Sequence, residues 1–253
     1  MNNNSAYCFV SIAPVRNNPQ DSSEMVTQLL FGEVVDILEI TEKWLKIKTF
    51  YDNYEGWIDP KHVKTLSKKE VTRWLDGIDF LHDKMTTIDT PWGEQQIVRG
   101  SFVPFSSEQE FNIGNDVFKF TTPRAKVSNP SLIAIAKDYL NSPYLWGGKS
   151  PFGIDCSGFT QVCFRLMGIN LPRDASQQVE HGSLVNFEER MAGDVLFFHN
   201  DAGKIIHVGI CLSENEIIHA SGRVRVDFYD QKGIIHFTNE CYTHHLHSIK
   251  RFL

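Results

Sequence analysis

Cys156, His207 and His219 are the residues of this 253-residue chain whose types and spacing could do chemistry. A cysteine nucleophile needs a base within reach, and the base needs a third group to hold its ring. His207 lies 51 residues after Cys156, inside the otherwise apolar run Ile205-Ile206-His207-Val208-Gly209-Ile210. A polar ring there must be satisfied or used. His219 follows twelve residues later, within Ile217-Ile218-His219-Ala220. Two strands joined through Ser213-Glu214-Asn215 would set the rings side by side, one facing the sulfur and the other orienting it. Blander readings compete, because a lone strand histidine is more often a satisfied core residue and a buried cysteine is often inert. A zinc site made of the same three residues is a further alternative. Nothing in a zinc site, however, calls for a helix start wrapped in glycines.

That helix start is what must position the sulfur. Gly147-Gly148-Lys149-Ser150-Pro151-Phe152-Gly153-Ile154-Asp155 runs straight into Cys156, and an apolar, helix-periodic stretch follows to about Gly168. Unpaired N–H groups and the positive end of the helix dipole favour a thiolate there. Upstream, Ser131 to Leu140 is a helix with serine at its N-cap and Pro130 ahead of it. Downstream, 194–198, 205–212 and 216–220 are strands, so helices come first and an antiparallel meander second, an α+β order. His244, His245 and His247 have no cysteine or carboxylate at ligand spacing and belong to a solvated segment.

The front of the chain has a different grammar. The runs 34–40, 44–48 and 56–58 are short and β-rich, which suits a small barrel. Residues 69–82 could form a helix, which Gly77 weakens, and β-like runs return at 96–105, 111–114 and 117–120 as a second, degenerate barrel. Residues 121–130, with two prolines, form a linker. The expected domains are therefore 1–65, 66–122 and 123–253.

Composition narrows the function classes. Residues 126–253 carry 12 basic and 13 acidic side chains, and residues 1–125 carry 13 and 18, so neither part offers the cationic surface that nucleic acid requires. No stretch approaches the ~20 apolar residues of a membrane span. The five cysteines form no Cys-x-x-Cys pair, which argues against a disulfide framework or zinc ribbon. Without a basic and apolar leader the cytoplasm is the expected location, or the periplasm or exterior if a signal has been removed.

Six linked segments resemble the NlpC-type cysteine peptidases in order and spacing. They are Tyr144-Leu145-Trp146-Gly147-Gly148, Asp155-Cys156-Ser157-Gly158-Phe159, Leu171-Pro172-Arg173-Asp174, Ala192-Gly193-Asp194-Val195-Leu196-Phe197-Phe198, His207-Val208-Gly209-Ile210 and Ile218-His219-Ala220. Ser23-Glu24-Met25-Val26-Thr27-Gln28, Phe31-Gly32-Glu33 and Tyr54-Glu55-Gly56-Trp57-Ile58 resemble the bacterial SH3-like barrels that precede such a peptidase. Two barrels and a catalytic domain look like the γ-D-glutamyl-L-diamino-acid endopeptidases of cell-wall peptide turnover.

The resemblance implies a papain-like fold with helices packed on an antiparallel sheet. It implies Cys156 as nucleophile, His207 as general base, His219 as orienting group and Tyr144 as a second oxyanion donor beside the Cys156 N–H. It also implies that Asp155 and Ser157 contact the D-glutamyl part of an L-Ala-γ-D-Glu-diamino acid stem peptide. Asp174, Glu24 and Tyr54 would hold its free amine, which favours small released fragments. Ala175 departs from the subgroup, which often has serine there. No metal or other cofactor is called for. Two other functions compete, acyl transfer on lipids and wall binding by an inactive peptidase domain. The order of cysteine before both histidines speaks against the first, and the presence of all three catalytic residues speaks against the second.

Overall fold

The computed structural model describes residues 4–105, 109–123, 131–235 and 241–253. The chain divides into two units, residues 1–129 with 149–151, and residues 130–148 with 152–253.

In the N-terminal unit seven antiparallel strands form one sheet, in the order Met25–Leu30, Ile12–Arg16, Glu55–Ile58, Leu45–Thr49, Val34–Ile40, Ser5–Cys8 and Val63–Leu66. Alternation sets the faces: Leu45 and Ile47 are buried with Ala13, Val15, Leu29 and Ile58, while Lys46 and Lys48 point outward. The helix expected over 69–82 is shorter, Lys68–Leu75. Ser67 and Glu70 cap it reciprocally, and it stops ahead of Gly77, whose φ is +100°.

Beyond it, Gly93–Val98, Met85–Thr90, Asp116–Phe120 and Glu110–Ile113 make a four-stranded sheet, and Ile78–Phe80 pairs with Phe102–Pro104. The run expected over 96–105 is thus split, with a break at Gly100 (φ +85°) that sends its halves to different sheets. Trp74, Phe102, Phe111, Phe118 and Phe120 form the core here, joined by Tyr7 and Val34 from strands of the seven-stranded sheet and by Phe31 from the turn ahead of Val34. Lys149 belongs to this unit: its ammonium pairs with Glu33 at 3.0 Å and its N–H donates to Gln28 Oε1. The expected linker falls mostly on residues 124–130, outside the described residues.

The C-terminal unit begins with the helix Leu132–Asp138, capped by Ser131, and continues with the cysteine helix Cys156–Arg165. An antiparallel sheet follows in the order Ser183–Val185, Tyr242–Arg251, Val195–His199, Ile205–Cys211, Glu216–Ser221, Arg223–Tyr229 and Gly233–Ile235. Gly233–Ile235 also pairs with Tyr242–Arg251, which closes the sheet on itself around Leu196, Phe198, Cys211, Ile217, Tyr229, Ile234 and Ile249. The cysteine helix, buried at all ten positions, packs on the Ile205–Cys211 and Glu216–Ser221 strands. Val195 to Phe198 are all buried, so both faces of that strand are covered, which is why Val195-Leu196-Phe197-Phe198 is apolar without alternation.

Candidate active site

The sulfur's position is set by one carboxylate. Asp155 is the N-cap of the cysteine helix; its Oδ1 accepts from the Gly158 N–H at 2.6 Å and its Oδ2 from the Gly147 N–H at 2.8 Å. Arg173 donates to both oxygens, at 3.0 and 2.6 Å, and to Ser157 Oγ at 2.9 Å. Loop and helix start are pinned together by this buried cluster. Gly158 is required by close approach, since a Cβ there would come within 2.3 Å of the Gly148 carbonyl oxygen. Asp155 and Ser157, expected at the substrate, thus spend their described hydrogen bonds on shaping the helix start.

The base side is built by strand register. Gly209 pairs with His219 and Cys211 with Ile217, so period-two alternation puts His207 on the same face as His219 and diagonal to it. Gly209 has no side chain to separate the rings. His207 Nε2 and His219 Nδ1 are 2.7 Å apart, and both residues are buried. The N–H groups of Ser157 and of Val208, the neighbour of His207, both donate to the Cys156 sulfur. No hydrogen bond among the described residues links that sulfur to an imidazole. Catalytic contacts of this kind commonly tighten only when substrate binds.

The electrostatics oppose the helix start. Burial, then the Asp155 charge, pushes the Cys156 thiol up to about 12, against the pull of Arg173 and the two amides. Burial also holds His207 well below its ordinary value, with His219 and His244 adding to the effect. Loss of water thus favours the neutral thiol and the neutral imidazole, whereas the helix start favours the thiolate. Burial likewise raises the Tyr144 hydroxyl, with the Cys156 charge the next contribution.

The remaining expected residues are divided between the two units. Asp174 is half-buried and precedes the short helix Ala175–Gln178, with its N–H donating to Gln177 Oε1. Exposed Glu24 and half-buried Tyr54 lie in the N-terminal unit, each just ahead of a strand.

Three residues of this site escape a reading of the sequence. His219 Nε2 donates to Asp227 at 2.9 Å, and Arg225 donates to the same carboxylate oxygen. His244 was expected in a solvated segment. It instead lies half-buried on the Tyr242–Arg251 strand, its ring stacked on His207 at 4.2 Å, while His245 and His247 are exposed. The alternation of Arg223-Val224-Arg225-Val226-Asp227-Phe228-Tyr229 was the available signal for a strand that carries Asp227.

The NlpC/P60 family profile matches residues 141–249, and that of the bacterial dipeptidyl-peptidase SH3 domain matches residues 15–63. The chain is 41% identical over 229 residues to a Bacillus cereus gamma-D-glutamyl-L-lysine dipeptidyl-peptidase, covering 79% of this chain and 68% of that one. It is 29% identical to dipeptidyl-peptidase 6 of Lysinibacillus sphaericus, over 90% of this chain and 92% of the relative. In fold it is similar to the crystal structure of a Bacillus cereus NlpC/P60 family protein, with a TM-score of 0.79 and 22% identity, covering 98% and 99% of the two chains. A relative 41% identical, of which the chain covers 68%, together with the matching family profile, settles the assignment: the chain belongs to the NlpC/P60 family and is a cysteine peptidase.

Proposed function

We propose that this chain hydrolyses the γ-D-glutamyl–L-diamino acid bond of cell-wall stem peptides whose N-terminal L-Ala is free. The observation that carries the reading is the hydrogen-bonded pair His207–His219 next to a helix-start sulfur, in a chain 41% identical to a gamma-D-glutamyl-L-lysine dipeptidyl-peptidase. His207 takes the Cys156 proton as the sulfur attacks the γ-amide carbonyl. The oxyanion that develops is met by the Cys156 N–H, which as the first helical amide has no acceptor within the helix, and by the Tyr144 hydroxyl. The imidazolium then protonates the departing amine of the diamino acid. Water, deprotonated by His207, cleaves the thioester and releases L-Ala-γ-D-Glu.

Incubation with L-Ala-γ-D-Glu-L-Lys and with its meso-diaminopimelate counterpart, followed by mass spectrometry, tests the proposal. Release of L-Ala-γ-D-Glu from at least one is expected, and its loss in Cys156→Ala. Intact peptide in both reactions overturns it. Asp174 is the candidate for holding the ammonium group within the catalytic unit. Asp174→Asn should lower kcat/KM for the free-amine peptide at least tenfold more than for its N-acetylated form; equal losses would make the residue a loop support only.

A further inference from the structure

Behind the two histidines stands a buried acid on a strand that neither of them occupies. Asp227 is 4% exposed and pairs in register with Ile217, which puts it on the His219 face, diagonal to the ring. Its Oδ2 accepts from His219 Nε2 at 2.9 Å, from Arg225 Nε at 2.8 Å and from Arg225 Nη2 at 2.5 Å. Among the described residues no other acid is hydrogen-bonded to either ring of the His207–His219 pair.

We propose that Asp227, held by Arg225, is a positioning residue that fixes the tautomers of both histidines and so keeps the proton-accepting nitrogen of His207 bare. The inference rests on His207 being the base. An ionised carboxylate only accepts, so the nitrogen it faces, His219 Nε2, must carry the hydrogen. A neutral imidazole has one N–H, which leaves His219 Nδ1 as a lone pair. The group 2.7 Å from that lone pair, His207 Nε2, must then be the donor. His207 in turn has no hydrogen left for Nδ1, the atom available to receive the thiol proton.

These tautomers require neutral rings and a charged acid, and the surroundings favour both conditions. Burial lowers His207 and His219, and Asp227 opposes this at His219 without reversing it. The hydrogen bonds from His219 and Arg225 outweigh burial at Asp227 and keep its carboxyl below its ordinary value. The other charged or titratable groups facing the array are His244, stacked on His207, and, around the sulfur, Asp155, Arg173 and Tyr144. An amide at position 227 would break the logic. Arg225 would claim the amide oxygen, and the NH2 group would face His219, inverting both rings and presenting His207 Nδ1–H to the thiol.

Nitrogen-15 spectra of histidine-labelled protein without substrate test this together with the kinetics. In the wild type, His207 should be bare at Nδ1 and protonated at Nε2. In Asp227→Asn that tautomer should invert and kcat should fall by about 100-fold or more, with KM within about threefold; a wrong tautomer in a related triad logic costs up to about 10⁴. Asp227→Glu should recover the wild-type tautomer and at least a tenth of kcat. A wild-type His207 protonated at Nδ1 overturns the proposal. So does an Asn variant that keeps kcat within threefold, or one that loses kcat with its tautomers unchanged. If the Asn variant does not fold, the wild-type spectrum decides alone. Failure of the wild type to cleave either tripeptide would sink the stem-peptide reading, while the tautomers, read without substrate, would still decide this one.

Discussion

The nucleophile side and the base side of the site each hold a buried aspartate against an arginine, yet the two pairs do different work. Asp155 meets backbone: its oxygens take the N–H groups of Gly147 and Gly158 as well as both ends of the Arg173 guanidinium. Asp227 meets an imidazole, and Arg225 supports it from the same side. The first cluster fixes where the chain goes, because amide hydrogens do not exchange roles. The second fixes which nitrogen of a ring is protonated, because an imidazole can present either face of its chemistry. Solvent access follows the same division. The Arg173 side chain is 1% exposed, whereas that of Arg225 is 18% exposed.

Removing each acid should separate the two kinds of work. Asp155→Ala leaves the Arg173 charge buried without its partner and strips the cap from the cysteine helix. A stability loss of about 3–5 kcal/mol is expected, with activity lost as well. Asp227→Ala should cost less in stability, since Arg225 can turn to water. Urea unfolding of both variants measures this, and equal losses would erase the distinction drawn between the clusters.

Acid should find the base side before it finds the nucleophile side. His207 and His219 are held below their ordinary 6.5 by burial first, and His244 is lowered to about 4. Each imidazole is neutral when folded and takes up a proton on unfolding wherever the pH lies below 6.5 and above its folded value. The unfolded chain then binds more protons, so stability present above pH 6.5 is lost as the pH falls toward 4. The slope is at most about 1.4 kcal/mol per pH unit for each histidine, and less for His244, which keeps some water contact. Thermal unfolding between pH 7 and 4 should show this fall, and His244→Gln should shallow it. A flat profile would mean the rings are not buried neutral.

Gly209 sharpens the comparison further, because it serves the base side alone. A Cβ there would lie 2.8 Å from His219 Cβ and 2.7 Å from Ile217 Cδ1. The isoleucine end can rotate away, but the histidine Cβ cannot without moving its strand. Gly209→Ala should cost about 1–3 kcal/mol and displace the His219 ring. A drop in kcat without a change in Cys156 alkylation rate is the expected pattern, and unchanged kcat would show that the ring pair tolerates the shift.

How much of this was legible in the sequence depends on whether a residue's signal was local. The cysteine helix, its cap and the strands carrying His207 and His219 showed through apolar runs and breakers that are contiguous in the chain. Asp227 and His244 did not, because each is a polar residue turned inward on a strand of mixed pattern: Asp227 is buried between exposed Val226 and Phe228, and His244 lies half-buried between exposed Thr243 and His245. The Tyr242–Arg251 strand reaches its place through pairing with Ser183–Val185, Val195–His199 and Gly233–Ile235, relations its own residues do not show. The burial of Cys156 was hidden for a related reason. A helix start is visible in sequence, whereas the burial that opposes it is a property of the closed sheet and the packed helix.

Ser157 offers the smallest and most discriminating perturbation of the nucleophile side. Its hydroxyl accepts from Arg173 at 2.9 Å and lies 3.4 Å from Asp155 Oδ1, so Ser157→Ala removes one good hydrogen bond and one weak one. Arg173 keeps both of its bonds to Asp155, so no charge is left unpaired. The expected loss is about 1 kcal/mol in stability. If Ser157 serves only the helix start, kcat/KM for the tripeptide should follow that small loss and change less than about threefold. A tenfold or larger rise in KM at unchanged stability would instead show that the hydroxyl leaves Arg173 to meet the substrate's D-glutamyl carboxylate, and the nucleophile side would then have a mobile donor of its own.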